Sequence, residues 1–218
     1  MNQELTYLLG EQAVVLDLNC ARLDDAQQNR LFALHRHLQQ LEIGSDIVVG
    51  KTSITLVLRN PTHCNTWQER LLTLWQELSA TDFHPTTHTI PVIYGKEAGP
   101  DLLPLAAQLD LSPRDIVELH STPVYQVKFL GFLPGFAYLG TVPQQLQVAR
   151  LDSPRTQVPA GSVAIAEDLS AIYPSASPGG WRLLGHSSTR LFDAQANSPC
   201  LLQPGDNVKF VPQKEGLC

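Results

Sequence analysis

Val124-Tyr125-Gln126-Val127-Lys128-Phe129-Leu130-Gly131-Phe132-Leu133-Pro134-Gly135-Phe136-Ala137-Tyr138 marks the point at which helical periodicity gives out. Its first half alternates. As a strand this sends Gln126 and Lys128 to one face and Tyr125, Val127 and Phe129 to the other. Its second half sets Phe132, Phe136 and Tyr138 between Gly131, Pro134 and Gly135, which spoil regular structure and suit a shaped loop that walls a pocket or a partner surface. An aromatic-packed barrel corner is the plainer reading of the same spacing. Downstream, Gly and Pro punctuate short apolar runs every roughly eight to twelve residues, the rhythm of barrels and sandwiches.

Upstream of Val124 the reading is mixed. Leu5 to Leu18 forms two short β runs around Gly10-Glu11-Gln12, an opening hairpin. Asp24 and Gln27 offer a capping box, and Leu31, Leu34, Leu38 and Leu41 follow at helical spacing, which predicts a helix over 24–42. Asp46 to Val49 and Ser53 to Leu58 are strands about a tight turn at Gly50-Lys51-Thr52. Thr66-Trp67-Gln68-Glu69 reads as a second capping box, ahead of Trp67, Leu71, Leu74, Trp75 and Leu78 on one helical face. Thr86 to Ile93 then closes a β(β)-α-β-β-α-β order, that of a ferredoxin-like α/β sandwich, so the N-terminal α+β domain is placed at 1–95. Pro100 to Leu109 and Ser112 to His120 are two short helices, the second opened by Ser112, Pro113 and Asp115; they read as a helical connection or lid over 96–122. A β-barrel domain over 96–218 completes an α+β fold class. Ser177-Pro178-Gly179-Gly180 and Gln203-Pro204-Gly205-Asp206 both have type II turn composition.

The chain has 218 residues, room for one large domain or two small ones. Fifteen Lys and Arg against 21 Asp and Glu leave a net charge of −6, which argues against nucleic acid as a partner. A hydrophobic share of 43% allows a sizeable core. Cys20, Cys64, Cys200 and Cys218 make no Cys-x-x-Cys pair, so a reduced cytoplasmic setting is expected, and neither a signal peptide nor a membrane span is expected.

Several tempting motifs are better read as ordinary structure. Gly50-Lys51-Thr52 lacks the upstream glycine of a phosphate-binding loop and is flanked by strands on both sides. Gly185-His186-Ser187-Ser188-Thr189 misses the last glycine of a nucleophile elbow. His35 and His37 are two apart on a helix, and His84 and His88 flank Pro85, so no metal site is expected. Arg150 and Arg155 bracket Pro154 and could converge on a carboxylate or phosphate. In Ser162-Val163-Ala164-Ile165-Ala166 the small side chains leave room on one face for a ligand or a close-packed neighbour. His120 and His186 are the imidazoles nearest this apparatus.

Taken together, Gly131 to Gly140, Val158-Pro159-Ala160-Gly161-Ser162-Val163-Ala164-Ile165, Ile172-Tyr173-Pro174 and Ser177-Pro178-Gly179-Gly180-Trp181 resemble the signature of the KipI / allophanate hydrolase subunit 1 family. The resemblance runs from Leu9-Gly10-Glu11-Gln12-Ala13-Val14 to the closing Phe210-Val211-Pro212-Gln213-Lys214-Glu215-Gly216, and within the family it is closest to the B subunits of bacterial 5-oxoprolinases. It implies a cyclophilin-like barrel after the α+β domain. It also implies a share in an ATP-dependent 5-oxoprolinase that converts 5-oxo-L-proline to L-glutamate, with ATP carried as its Mg complex. The partners it implies are the C subunit, a second cyclophilin-like chain, and the A subunit. The alternative readings that the resemblance implies for this chain are a regulatory protein that inhibits a histidine kinase and a carboxyltransferase-like component of an allophanate or urea pathway.

On that reading the candidate catalytic residues are Lys128, Arg150, Arg155 and His186. Candidate substrate- or nucleotide-binding residues are Phe132, Pro134, Gly135, Phe136, Tyr138, Pro159, Gly161, Ser162, Tyr173, Ser177, Gly179, Gly180 and Trp181. The amides of Gly161, Gly179 and Gly180 are candidate phosphate contacts. The resemblance also exposes a departure: Glu167-Asp168-Leu169-Ser170-Ala171 stands where relatives carry Gly-x-Gln-Thr-Gly, and its carboxylates would repel an anion if the loop lined the pocket.

Overall fold

The computed structural model describes residues 4–213, so Lys214-Glu215-Gly216 of the closing motif and Cys218 lie outside the described residues. The chain divides into two units, Met1–Pro85 and Thr86–Cys218.

The first unit is an α/β sandwich. Strands β1 (Leu5–Leu9) and β2 (Ala13–Asp17) form the opening hairpin, helix α1 (Asp25–Gln40) follows, then β3 (Gly44–Val49), β4 (Ser53–Leu58) and helix α2 (Cys64–Glu77). The sheet order is β1-β2-β4-β3, antiparallel throughout. Alternation sends Val14, Leu16, Ile54, Leu56 and Leu58 to one face, where they bury Leu31, Leu34 and Leu38 of α1 and Leu71 and Trp75 of α2. Asp24 caps α1 through the box with Gln27, as its spacing predicts. The Thr66 box is not used. Asn60 caps a short 3₁₀ turn at Pro61–His63 that runs straight into α2, so Thr66 to Glu69 already lie inside the helix.

The strand expected to close this sheet belongs to the other unit. Strand β5 (Thr87–Tyr94) has no open edge to take beside β2, because β1 already pairs there. The domain limit therefore falls at Pro85 rather than at residue 95.

The second unit is a closed barrel. Its further elements are α3 (Leu102–Leu109), α4 (Pro113–Ser121), β6 (Val124–Leu130), β7 (Ala137–Gly140), β8 (Arg155–Val158), β9 (Ser162–Ala166), β10 (Leu169–Ile172), β11 (Ser177–Gly179), β12 (Arg182–His186) and β13 (Asn207–Pro212). The barrel runs β10-β7-β6-β13-β5-β12-β9 and closes through β9 and β10, while β8 and β11 form a separate ribbon. Strand β5 pairs in parallel with β13, from Asn207 opposite Thr87 to Pro212 opposite Val92.

The helices are not a lid. Leu102 and Leu105 of α3, and Ile116 and Val117 of α4, belong to the same buried cluster as Val92, Tyr125, Val163, Ile165 and Phe210 of the barrel. His120, at the end of α4, is fully enclosed there and stacks on Phe210. Its Nε2 lies 2.8 Å from Ser170 Oγ, whose own proton goes to the Ala164 carbonyl. Nε2 must therefore carry the hydrogen, and Nδ1 accepts from the Tyr94 hydroxyl at 2.8 Å. Burial holds this imidazole neutral, its pKa lowered to about 3.

Candidate functional site

A register shift in β6 prepares the site. Val127 lies opposite Leu139 but Phe129 lies opposite Tyr138, so the bulge turns Phe129 away from the barrel interior, against the alternation read from sequence. Phe129 stacks on Tyr138 with ring centroids 4.4 Å apart. Beyond it, Leu133-Pro134-Gly135-Phe136 makes the tight turn: the Phe136 amide donates to the Leu133 carbonyl, and Gly135 sits at φ +79°. Phe132 is itself left-handed at φ +68° and 59% exposed.

That turn delivers Phe136 into a second buried cluster, on the side of β9 opposite the main core. Val163 and Ile165 fill the barrel, whereas Ala164 and Ala166 leave room on the other side for Phe136, Tyr173, Trp181 and Leu183. The rings meet edge to face: Phe136 to Tyr173 at 5.3 Å, Phe136 to Trp181 at 5.9 Å, Tyr138 to Trp181 at 5.9 Å, and Phe132 to Phe136 at 5.3 Å. Two cations border them. The Arg150 guanidinium stands 6.0 Å over the Trp181 ring. Arg155 donates to the Trp181 carbonyl and makes a 2.6 Å ion pair with the buried Asp101, whose other oxygen accepts from the Leu183 amide.

The hydroxyls of Tyr138 and Tyr173 share this environment. Burial pushes both pKa values up, and Arg150 pulls both the other way. The Glu167-Asp168 pair forms the β9–β10 hairpin turn, and Glu167 places its carboxylate 3.5 Å from Arg150 Nε. It meets a cation there.

Other candidates are placed differently. Gly179 is a strand residue opposite Arg155 with no left-handed backbone, so Ser177 to Gly180 is not the type II turn its composition suggests; Gln203 to Asp206 is one, with Gly205 at φ +87°. A Cβ on Gly179 would fall 2.4 Å from the Tyr173 hydroxyl. Ser177, opposite Val158, donates to the Pro178 carbonyl, and the Gly180 carbonyl accepts from Leu151. Pro159 to Ser162 is a turn with Gly161 at φ +81°, and the Gly161 amide is used on the Tyr173 carbonyl. His186 packs on Gly161 and its Nε2 meets the Ala160 carbonyl at 3.1 Å, which ties it to this turn and not to the arginines. The Lys128 stem and Leu169 both cross Gly140 at the border of the aromatic cluster, and the Lys128 ammonium donates to Gln126 Oε1.

Gly161→Ala is expected to cost about 2 kcal/mol in urea unfolding, because the left-handed backbone disfavours a side chain and the new Cβ would meet the Ser187 carbonyl oxygen at 2.3 Å. An unchanged midpoint would contradict this.

Asp101 is the residue the sequence did not disclose; it lies 54 positions from Arg155, and only the Gly99-Pro100-Asp101 break before a helix marked the spot. An open groove of about 500 Å³ beside α4, lined by Leu111, Leu119, Pro123 and Pro143, shares no lining residue with the aromatic cluster.

The model of the carboxyltransferase domain, subdomains C and D, matches residues 5–202. The chain belongs to this family. Among curated family members, the B subunit of 5-oxoprolinase from Escherichia coli O157:H7 is 46% identical over the whole of both chains. That of Haemophilus influenzae is 42% identical over 93% of this chain and 95% of its own. The crystal structure of TTHA0988 superposes with a TM-score of 0.79 at 34% identity, over 93% of this carboxyltransferase-family chain and 40% of that one. Among the described residues, no helix is long and apolar enough to cross a membrane.

Proposed function

We propose that this chain is the B-type component of an ATP-dependent 5-oxoprolinase, acting with a second barrel chain (the C subunit) and the A subunit to open 5-oxo-L-proline to L-glutamate. The observation that carries the reading is the end-to-end identity of 46% with a protein of that name. The match to only 40% of the TTHA0988 chain fits a component that is one part of a larger working unit.

A lactam is a resonance-stabilised amide, and ATP would supply the activation that makes its carbonyl carbon open to water. Of the candidate glycines, Gly161 has its amide bonded to the Tyr173 carbonyl and Gly179 lies in the β8–β11 ribbon, so neither belongs to a loop that curls round a phosphate. In this reading a partner chain completes the nucleotide site, and Mg²⁺ would come as part of the nucleotide complex. The part of this chain is to bind and orient. Phe132 offers a ring face to the methylenes of the lactam, the half-buried Tyr138 offers a hydroxyl, and Arg150 and Lys128 offset negative charge, while Tyr173 is buried and Arg155 is held by Asp101.

Glutamate and ADP release from 5-oxo-L-proline and ATP, with each purified component omitted in turn, tests the reading. Omission of this chain is expected to abolish turnover. Full turnover without it would overturn the proposal.

A further inference from the structure

Arg150 is held over Trp181, and Trp181 is fixed by edge-to-face contacts with Phe136 and Tyr138. A guanidinium so placed is a fork that can take a carboxylate through two parallel hydrogen bonds. A carboxylate is already there. Glu167 meets Arg150 at Nε, but at 3.5 Å, longer than a charge-assisted hydrogen bond, and with 58% of the Arg150 side chain and 65% of the Glu167 side chain exposed.

Resting on the function proposed above, we propose that Arg150 is the receptor for the substrate carboxylate and that Glu167 is a built-in surrogate which the substrate displaces. The backbone of Glu167 is fixed independently of its side chain. It sits left-handed at φ +55° in the β9–β10 turn, and its amide donates to Val148 at 2.6 Å. The carboxylate can therefore swing away while the loop stays in place. Exposed pairs of this kind contribute little, so an incoming carboxylate with additional contacts outcompetes it. Those contacts are at hand: the half-buried Tyr138 lies with its ring 5.9 Å from Trp181, the ring beneath Arg150, and the exposed Phe132 offers a face to ring methylenes. The occupant is a carboxylate: a guanidinium fork matches it with two parallel hydrogen bonds, the group already beside Arg150 is one, and the Gly161 amide, a candidate phosphate contact, is bonded to the Tyr173 carbonyl.

Calorimetric binding of 5-oxo-L-proline, of 2-pyrrolidinone (the same ring without the carboxylate) and of ATP tests this on the reconstituted complex and on the chain alone. Glu167→Gln is expected to tighten 5-oxo-L-proline by about fivefold, the upper end for an exposed pair, and to leave 2-pyrrolidinone and ATP unchanged. Arg150→Gln is expected to weaken 5-oxo-L-proline by about tenfold or more and to leave 2-pyrrolidinone unchanged. Equal effects on both lactams, a Glu167→Gln effect confined to ATP, or no binding of 5-oxo-L-proline to either preparation would overturn the assignment. The omission assay reads the role in the complex separately: turnover that needs this chain, together with unchanged binding in both variants, removes the carboxylate receptor and leaves the 5-oxoprolinase reading standing.

Discussion

Asp101→Ala is expected to lower stability by about 3–5 kcal/mol, the range for breaking a buried ion pair from one side. The carboxylate is buried, and its two oxygens join three elements: Oδ1 holds Arg155 of β8 at 2.6 Å, Oδ2 holds the Leu183 amide of β12 at 2.6 Å, and the residue itself begins α3. Removal leaves a buried amide without its acceptor and a guanidinium only partly open to water. Asp101→Asn keeps an acceptor for Leu183 and loses only the charge, so it is expected to cost less than alanine. Chemical denaturation of both variants checks the order; an alanine variant within about 1 kcal/mol of the parent would show that the bridge is dispensable. The same bond makes Arg155→Ala a poor probe of catalysis, since it strands Asp101.

Acid is expected to destabilise the barrel unit through His120. The folded pKa is about 3 and the ordinary value is 6.5, so below pH 6.5 the unfolded chain takes up a proton that the folded chain refuses. Stability is complete above pH 6.5 and falls as pH drops toward 3, by about 2 kcal/mol at pH 5 and about 5 kcal/mol over the whole interval. His35, buried in the sandwich unit with its pKa lowered to about 4 by burial and Arg36, acts in the same direction on that unit. His120→Gln is expected to be less stable at pH 7, because the Tyr94 and Ser170 contacts are disturbed, but its barrel is expected to lose less on going to pH 5. Identical pH slopes for variant and parent would contradict the buried neutral imidazole.

Much of this architecture was legible because its signals are local. Asp24 and Gln27 lie within one helical turn, Ser112, Pro113 and Asp115 likewise, and Gln203 to Asp206 encloses its own hydrogen bond. Strand β5 was visible as a strand but not as a barrel strand, because its partner β13 lies at the far end of the chain. The Ser177 to Gly180 run has turn composition, yet pairing with β8 overrides it. A bulge cannot be counted from alternation, so the simple period puts Phe129 on the wrong face. In the site, the aromatic residues were legible from their Gly and Pro setting and the small face of β9 from Ala164 and Ala166. The ion pairs were not. Asp101 with Arg155 and Glu167 with Arg150 join separate segments that no spacing rule connects, and Glu167, expected to repel an anion, instead lies against a cation.

Steady-state kinetics of the reconstituted complex carrying Phe132→Ala decide whether the aromatic and arginine face of the barrel is, as proposed, a wall of a 5-oxoprolinase site. Phe132 is 59% exposed and lies outside the buried cluster, touching it only at its edge, so alanine is expected to change stability little. A fall in kcat/KM for 5-oxo-L-proline of about tenfold, with the melting temperature unchanged, is the predicted result. A kcat/KM equal to that of the parent complex would contradict the account.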